Sequence, residues 1–141
     1  MFLINRSKQL EFWKEQFPPG SYQIKKGDHS FGMNDALGVY LFNDEAKASY
    51  KCFSAEGGDE QNFLFDLSYN NSDGSISLRS LGNEKFLNSQ TFTFTGTSSN
   101  ESKFEFYGIQ IKGGVMVRSV PGWKSLSDEV LYFEKPTTIE M

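Results

Sequence analysis

Apolar and polar residues alternate along much of this chain with the period of two that marks half-buried strands, and the alternation recurs in one arrangement. Leu10-Glu11-Phe12-Trp13 leads through Pro18-Pro19 into Gly20-Ser21-Tyr22-Gln23-Ile24-Lys25-Lys26. Phe63-Leu64-Phe65-Asp66 leads through Asn70-Asn71-Ser72-Asp73 into Gly74-Ser75-Ile76-Ser77-Leu78-Arg79-Ser80. Phe104-Glu105-Phe106-Tyr107 leads by a short connection into Gly113-Gly114-Val115-Met116-Val117-Arg118-Ser119. Each copy predicts a strand, a Gly-containing turn and a second strand with a basic residue at or near its end. In Tyr22/Ile24, Ile76/Leu78 and Val115/Val117 the apolar residues sit two apart, so one face of each second strand is buried.

The last two copies continue in step, residues 81–94 aligning with 120–133 without a gap. Lys85 then matches Lys124, Leu87 matches Leu126, and Phe92/Phe94 match Leu131/Phe133. The first copy follows more loosely, with Met33-Asn34 for Leu87-Asn88 and Tyr40/Phe42 for Phe92/Phe94. Its surplus lies around 44–61, where Tyr50-Lys51-Cys52-Phe53 predicts an extra strand or tongue. A helical pattern competes at its start. Leu10, Trp13 and Phe17 fall at i, i+3 and i+7 behind a candidate cap at Ser7, and Pro18-Pro19 would end a helix over 8–16. The two matching copies favour a strand there; a helix would leave Phe2 to Asn5 to supply the strand that closes the barrel.

Three units of four short strands are too few for an ordinary propeller and lack a solenoid's stacking signature. From Leu10 to about Lys135 the pattern resembles the β-trefoil, which implies an all-β fold, a pseudo-threefold barrel of about twelve short strands with a hairpin cap. The expected organisation is one domain over 1–141, with repeats at approximately 10–61, 62–102 and 103–141. Within that fold Gly82-Asn83-Glu84-Lys85-Phe86-Leu87-Asn88-Ser89, with Phe92-Thr93-Phe94-Thr95-Gly96 and Lys103-Phe104-Glu105-Phe106, is similar to the repeat of fascin-like domains. Pro19-Gly20-Ser21-Tyr22-Gln23-Ile24 and Glu60-Gln61-Asn62-Phe63 resemble ricin-B-type fungal lectins and trefoil protease inhibitors. The Gln-x-Trp of ricin-type repeats is replaced by Gln61-Asn62-Phe63 and Ser102-Lys103-Phe104.

Composition narrows the chemistry. Lys and Arg number 14 against 18 Asp and Glu, a net charge of −4, so the surface is not built to neutralise phosphates and nucleic acid is not an expected partner. It also lacks a basic patch for an acidic filament such as actin. One His and one Cys exclude a disulfide framework, a thiolate zinc site or several-imidazole cofactor binding; no cofactor and no metal are expected. Of the 14 Phe residues, Phe63, Phe65, Phe86, Phe92, Phe94, Phe104, Phe106 and Phe133 recur at strand positions and read as core. Met1-Phe2-Leu3-Ile4 is too short for an export signal or membrane span, which points to a cytoplasmic protein without excluding non-classical secretion. Asn5-Arg6-Ser7, Asn70-Asn71-Ser72 and Asn100-Glu101-Ser102 then match the glycosylation sequon by chance.

Few residues stand outside this scaffold. Asp28 and His29 are neighbours, so on an extended segment they face opposite ways and do not form a working pair with Ser30. Cys52 reads as a small buried hydrophobe. Asp44-Glu45, Asp59-Glu60 and Asp128-Glu129 read as solvated loop carboxylates, since adjacency does not set two carboxyls across a sugar. Asn70 to Ser75 is explained by a β-turn. Trp123 is different: it sits in the turn Pro121-Gly122-Trp123-Lys124 where the preceding unit has Glu84, so the repeat does not require an aromatic there. A Trp on a turn is a stacking platform for a sugar ring or an anchor for a protein. Lys124 and Asp128 offer polar contacts, and Tyr107, after a Phe-x-Phe strand, offers a second ring. The expectation is a non-enzymatic, lectin-like module that recognises carbohydrate through Trp123, Lys124, Asp128 and Tyr107. The alternative is a protein-binding trefoil, either a protease inhibitor using Asp44–Gln61 or a fascin-like cytoskeletal module.

Overall fold

A computed structural model describes residues 6–43, 45, 60–110, 112–120 and 122–136. Among the described residues the helix α1 (Arg6–Gln16) precedes ten strands: β1 (Gly20–Lys26), β2 (His29–Asn34), β3 (Gly38–Phe42), β4 (Phe65–Tyr69), β5 (Ile76–Ser80), β6 (Phe86–Leu87), β7 (Phe94–Thr95), β8 (Phe104–Tyr107), β9 (Met116–Ser119) and β10 (Tyr132–Glu134). Short 3₁₀ turns lie at Glu60–Phe63 and Asn100–Ser102.

The ten strands form one antiparallel sheet whose pairing returns to its start. β1 pairs β4 with Tyr22 opposite Phe65, β5 meets β8 with Ile76 opposite Phe104, and Val115 and Leu131, just before β9 and β10 respectively, form the matching bridge. Within the units, Leu67 lies opposite Leu78, Phe106 opposite Val117, and Phe133 opposite Ile24. Each pairing thus occurs three times, at equivalent places, and its side chains share the inward face. Phe65, Leu67, Ile76, Leu78, Phe104, Val115, Val117 and Leu131 are almost wholly excluded from water. Of the repeated Phe residues, Phe63, Phe65, Phe104 and Phe106 are buried, while Phe86, Phe92, Phe94 and Phe133 are partly so.

This register corrects the expected alignment in two places. Phe104 corresponds to Phe65, not Phe63, because both stand opposite equivalent serines, Ser119 and Ser80. A shift of two residues preserves the inward face, which is why alternation alone does not reveal it. Tyr107 therefore corresponds to Ser68, and Glu105 to Asp66. Further on, Leu131 bridges Val115 and Phe133 lies in β10 opposite Ile24, rather than matching Phe92 and Phe94. The third unit runs directly from the buried Leu126 to Leu131, so its outer hairpin reduces to the bridge Arg118↔Ser125. Ten strands rather than about twelve are consequently found among the described residues. Residues 2–5, the Tyr50–Phe53 stretch, Cys52 and most of the Asp44–Gln61 segment lie outside those residues.

The strand expected over 10–13 is part of α1. The run Arg6–Gln16 contains no Gly, Pro or β-branched residue, and its Lys, Gln, Glu and Leu residues favour helix. Leu10, Trp13 and Phe17 are buried at the helical spacing, and Pro18-Pro19 follows. The strand that completes the first unit comes instead from β10, against β1. α1 covers the adjacent end of the barrel with rings: Phe106 lies 5.4 Å from Trp13, 4.8 Å from Phe17 and 5.3 Å from Phe133, centroid to centroid. The Tyr69 hydroxyl lies 3.0 Å from the Trp13 carbonyl oxygen and 2.6 Å from that of Phe17, donating its proton to the last turn of α1. Burial pushes that hydroxyl's pKa up.

At the opposite end the hairpins are built alike. Asn34 Oδ1 accepts from the Ala36 and Leu37 amides, Asn88 Oδ1 from those of Gln90 and Thr91, and Ser127 Oγ from that of Glu129. Met33, Leu87 and Leu126, each just before one of these residues, are buried. The first two hairpins touch where the Val39 amide donates to the Phe92 carbonyl at 2.9 Å. Gly38 has a φ of 96°, and a Cβ there would collide with the Phe92 carbonyl oxygen, so only glycine fits.

Two outcomes follow. Phe106→Ala is expected to lower unfolding free energy by about 3–5 kcal/mol, and Tyr69→Phe by about 1–3 kcal/mol, in denaturant titrations. Asp73 supplies a pH dependence. Burial pushes its carboxyl up, but hydrogen bonds from Lys103 at 2.7 Å and from the Ser75 hydroxyl and amide outweigh this and hold its pKa at about 2. Because the folded pKa lies below the unfolded one, this contribution is present above about pH 4 and is lost as pH falls toward 2. Stability measured across that window should fall by about 2 kcal/mol more in the native protein than in Asp73→Asn.

Candidate functional site

The turn after β9 is fixed by backbone bonds that repeat those of the second unit. The Ser119 amide donates to the Lys124 carbonyl at 2.8 Å, as the Ser80 amide donates to that of Lys85 at 2.9 Å. Both turns place a non-glycine residue at positive φ, Glu84 at 59° and Trp123 at 51°. This left-handed conformation disfavours bulky side chains by roughly 1 kcal/mol or more. Trp123 nevertheless keeps its side chain outside the core, 65% exposed, and is not a cover for the barrel end.

Arg118, one strand residue before Ser119, organises the surroundings of this ring. Its guanidinium carbon is 5.0 Å from the Trp123 ring centroid and 4.3 Å from that of Tyr107, within cation–π range of both. Its Nε donates to Glu105 Oε1 at 3.1 Å across the β8–β9 pair, and the Glu105 side chain is only 11% exposed. The Tyr107 hydroxyl and Ser125 Oγ are hydrogen-bonded at 3.0 Å. The Trp123 indole, the Tyr107 phenol, the Arg118 guanidinium and the exposed Ser125 hydroxyl thus gather in one place at the surface.

The four residues expected to bind ligand divide between locations. Trp123 and Tyr107 meet around Arg118. Lys124 turns toward the second unit, where Nζ donates to the Gln90 carbonyl at 2.7 Å and lies 4.8 Å from the Phe92 ring. Asp128 pairs with Lys26 at 2.6 Å; this hydrogen bond lowers the carboxyl's pKa and raises that of the ammonium. Sequence reasoning did not single out Arg118, Glu105 or Ser125. The available signal was the basic residue recurring near the end of each second strand, since Lys25, Arg79 and Arg118 occupy equivalent sheet positions. His29 is exposed on β2 while its neighbour Ser30 is buried, so the two face opposite ways.

Two shallow depressions lie elsewhere. One, of about 290 Å³, is bordered by Lys26, Phe92, Leu126 and the exposed Leu37, Tyr40 and Leu41. The other, of about 240 Å³, is polar, with Ser68, Ser77 and Lys103 on its wall. Among the described residues, no three His, Cys, Asp or Glu residues gather to hold a metal ion, and no helix is long and apolar enough to cross a membrane.

No protein-family model and no curated protein matches the sequence. Solved structures do match the fold. A lectin of Polyporus squamosus, solved with the human-type influenza-binding epitope Neu5Acα2-6Galβ1-4GlcNAc, is 12% identical over 85% of this chain, with a TM-score of 0.56. The BEL β-trefoil is 15% identical over 82% of this chain and 92% of its own, with a TM-score of 0.55. An endo-β-galactosidase of Clostridium perfringens that releases GlcNAcα1-4Gal is 14% identical over 85% of this chain, with a TM-score of 0.52. The chain spans 45% of the Polyporus lectin's length and 30% of the galactosidase's. With the threefold recurrence of its pairings, these likenesses give the chain's fold as the β-trefoil.

Proposed function

We propose that this chain is a non-enzymatic, lectin-like binding module that holds a saccharide against the Trp123 ring. The observation that carries the reading is Trp123 itself, an exposed indole in a backbone conformation that favours glycine, beside Arg118 and Tyr107. An indole face stacks on the C–H face of a pyranose, and the Arg118, Tyr107 and Ser125 polar groups supply hydrogen bonds at its edge. The glycan epitope bound by the Polyporus lectin supports a saccharide ligand on this fold. The scaffold in this reading is a closed barrel on the twelve-strand trefoil plan. Its third outer hairpin is trimmed, and the Trp123 turn therefore stands clear.

A protein ligand is the second reading, favoured by the exposed Leu37, Tyr40 and Leu41 around the apolar depression. It covers the inhibitor and fascin-like alternatives.

A glycan array probed with the native protein should give saturable binding. Trp123→Gly, which suits the turn's positive φ, should weaken it at least about tenfold while leaving the melting temperature unchanged or higher. Failure of the native protein to bind any glycan sinks the saccharide reading. The protein reading would then be favoured by protease inhibition that Tyr40→Asp abolishes.

A further inference from the structure

The three equivalent cations are not used alike. Lys25 stands opposite Tyr132 and pairs with Glu134 at 3.4 Å. Arg79 stands opposite Asp66 and turns a terminal nitrogen, Nη2, toward it at 3.8 Å. Arg118 stands opposite Glu105 but meets it through Nε. Among the described residues no hydrogen bond engages the terminal amino groups of Arg118. Its side chain is 30% exposed, and the Tyr107 and Trp123 rings lie against the guanidinium. A guanidinium held between rings, with its Nε satisfied, presents its two amino groups as a fork whose spacing matches two oxygens of a carboxylate or sulfate.

The charged residues that follow Trp123 in sequence are engaged elsewhere. Lys124 is bound to a carbonyl rather than a carboxylate, and Asp128 is engaged by Lys26. Arg118 is therefore the cation that lies against the Trp123 and Tyr107 rings, with Glu105 on its Nε. Neutral sugar hydroxyls need no such fork.

We infer that the saccharide preferred at this site is acidic: its carboxylate or sulfate group lies on the free edge of Arg118 while the pyranose ring stacks on Trp123. The inference rests on the reading of Trp123 as a saccharide platform. Arg118 sets the specificity, through charge-assisted bonds roughly twice as strong as neutral ones.

The test is an array of matched glycans, each neutral core printed beside its sialylated, uronic-acid and sulfated forms. It is read with the native protein and with Arg118→Lys, which keeps a charge for Glu105 but removes the fork. The native protein should favour acidic forms over their neutral cores at least about tenfold, less so in high salt. The arms separate carboxylate from sulfate recognition. In Arg118→Lys the acidic-to-neutral ratio should fall toward one, with circular dichroism and melting confirming that it folds. Should Arg118→Lys not fold, Arg118→Gln combined with Glu105→Gln removes both charges together and is read in the same way. Equal binding of acidic and neutral forms by the native protein, or a ratio unchanged in the variant, overturns this inference and leaves the platform reading standing. An array blank for every glycan overturns both.

Discussion

Pairing of β1 with β10 is the constraint on which the remaining architecture depends. Each strand of the sheet presents one apolar face, and that face stays dry only where neighbouring strands cover it. Residues 23–25 and 132–134 supply the last join, bringing together segments far apart in sequence. Phe133 carries the join into the core, touching Phe17, Tyr22 and Phe106 at centroid distances of 5.7, 5.8 and 5.3 Å. The docking of α1 is tied to the same join, since Phe17 at the end of the helix meets Phe133 of β10 as well as Phe106 of β8.

The sequence made the repeat legible because a period of two and a recurring Gly or Asn turn are local signals. Tyr22/Ile24, Ile76/Leu78 and Val115/Val117 all face inward, and the matches of Lys85 with Lys124 and Met33 with Leu87 hold to the level of individual turn bonds. Pairing partners were not legible. Leu10-Glu11-Phe12-Trp13 has the alternation of a strand, but the helical tendency of its neighbours and the burial of Leu10, Trp13 and Phe17 on one face outweigh it. The pairing of β10 with β1 depends on a contact across most of the chain, which no window of ten residues encodes. The two-residue offset between Phe63 and Phe65 was hidden for the reason that sheet faces repeat every second residue.

For the site, the sequence singled out the residue that broke the repeat, Trp123, and missed the residue that obeyed it. Arg118 looked like scaffold because Lys25 and Arg79 share its position. Its different use arises from neighbours in space: the Tyr107 ring, supplied by β8, and the Trp123 ring, supplied by the following turn. A feature demanded by the fold has acquired a second setting, visible only once the two strands are laid side by side. Lys124 and Asp128, close to Trp123 in sequence, are drawn away by Gln90 and Lys26 because side chains leaving a tight turn diverge.

The left-handed backbone at Trp123 also bears on descent. Stability alone would let this position drift toward Gly, Asn or Asp, which occupy that conformation at little cost. An aromatic residue persisting there across related chains would therefore record selection on the exposed ring rather than on the fold. Glu84, at the matching turn one unit earlier, provides the internal reference for what the same backbone accepts when no ring is retained.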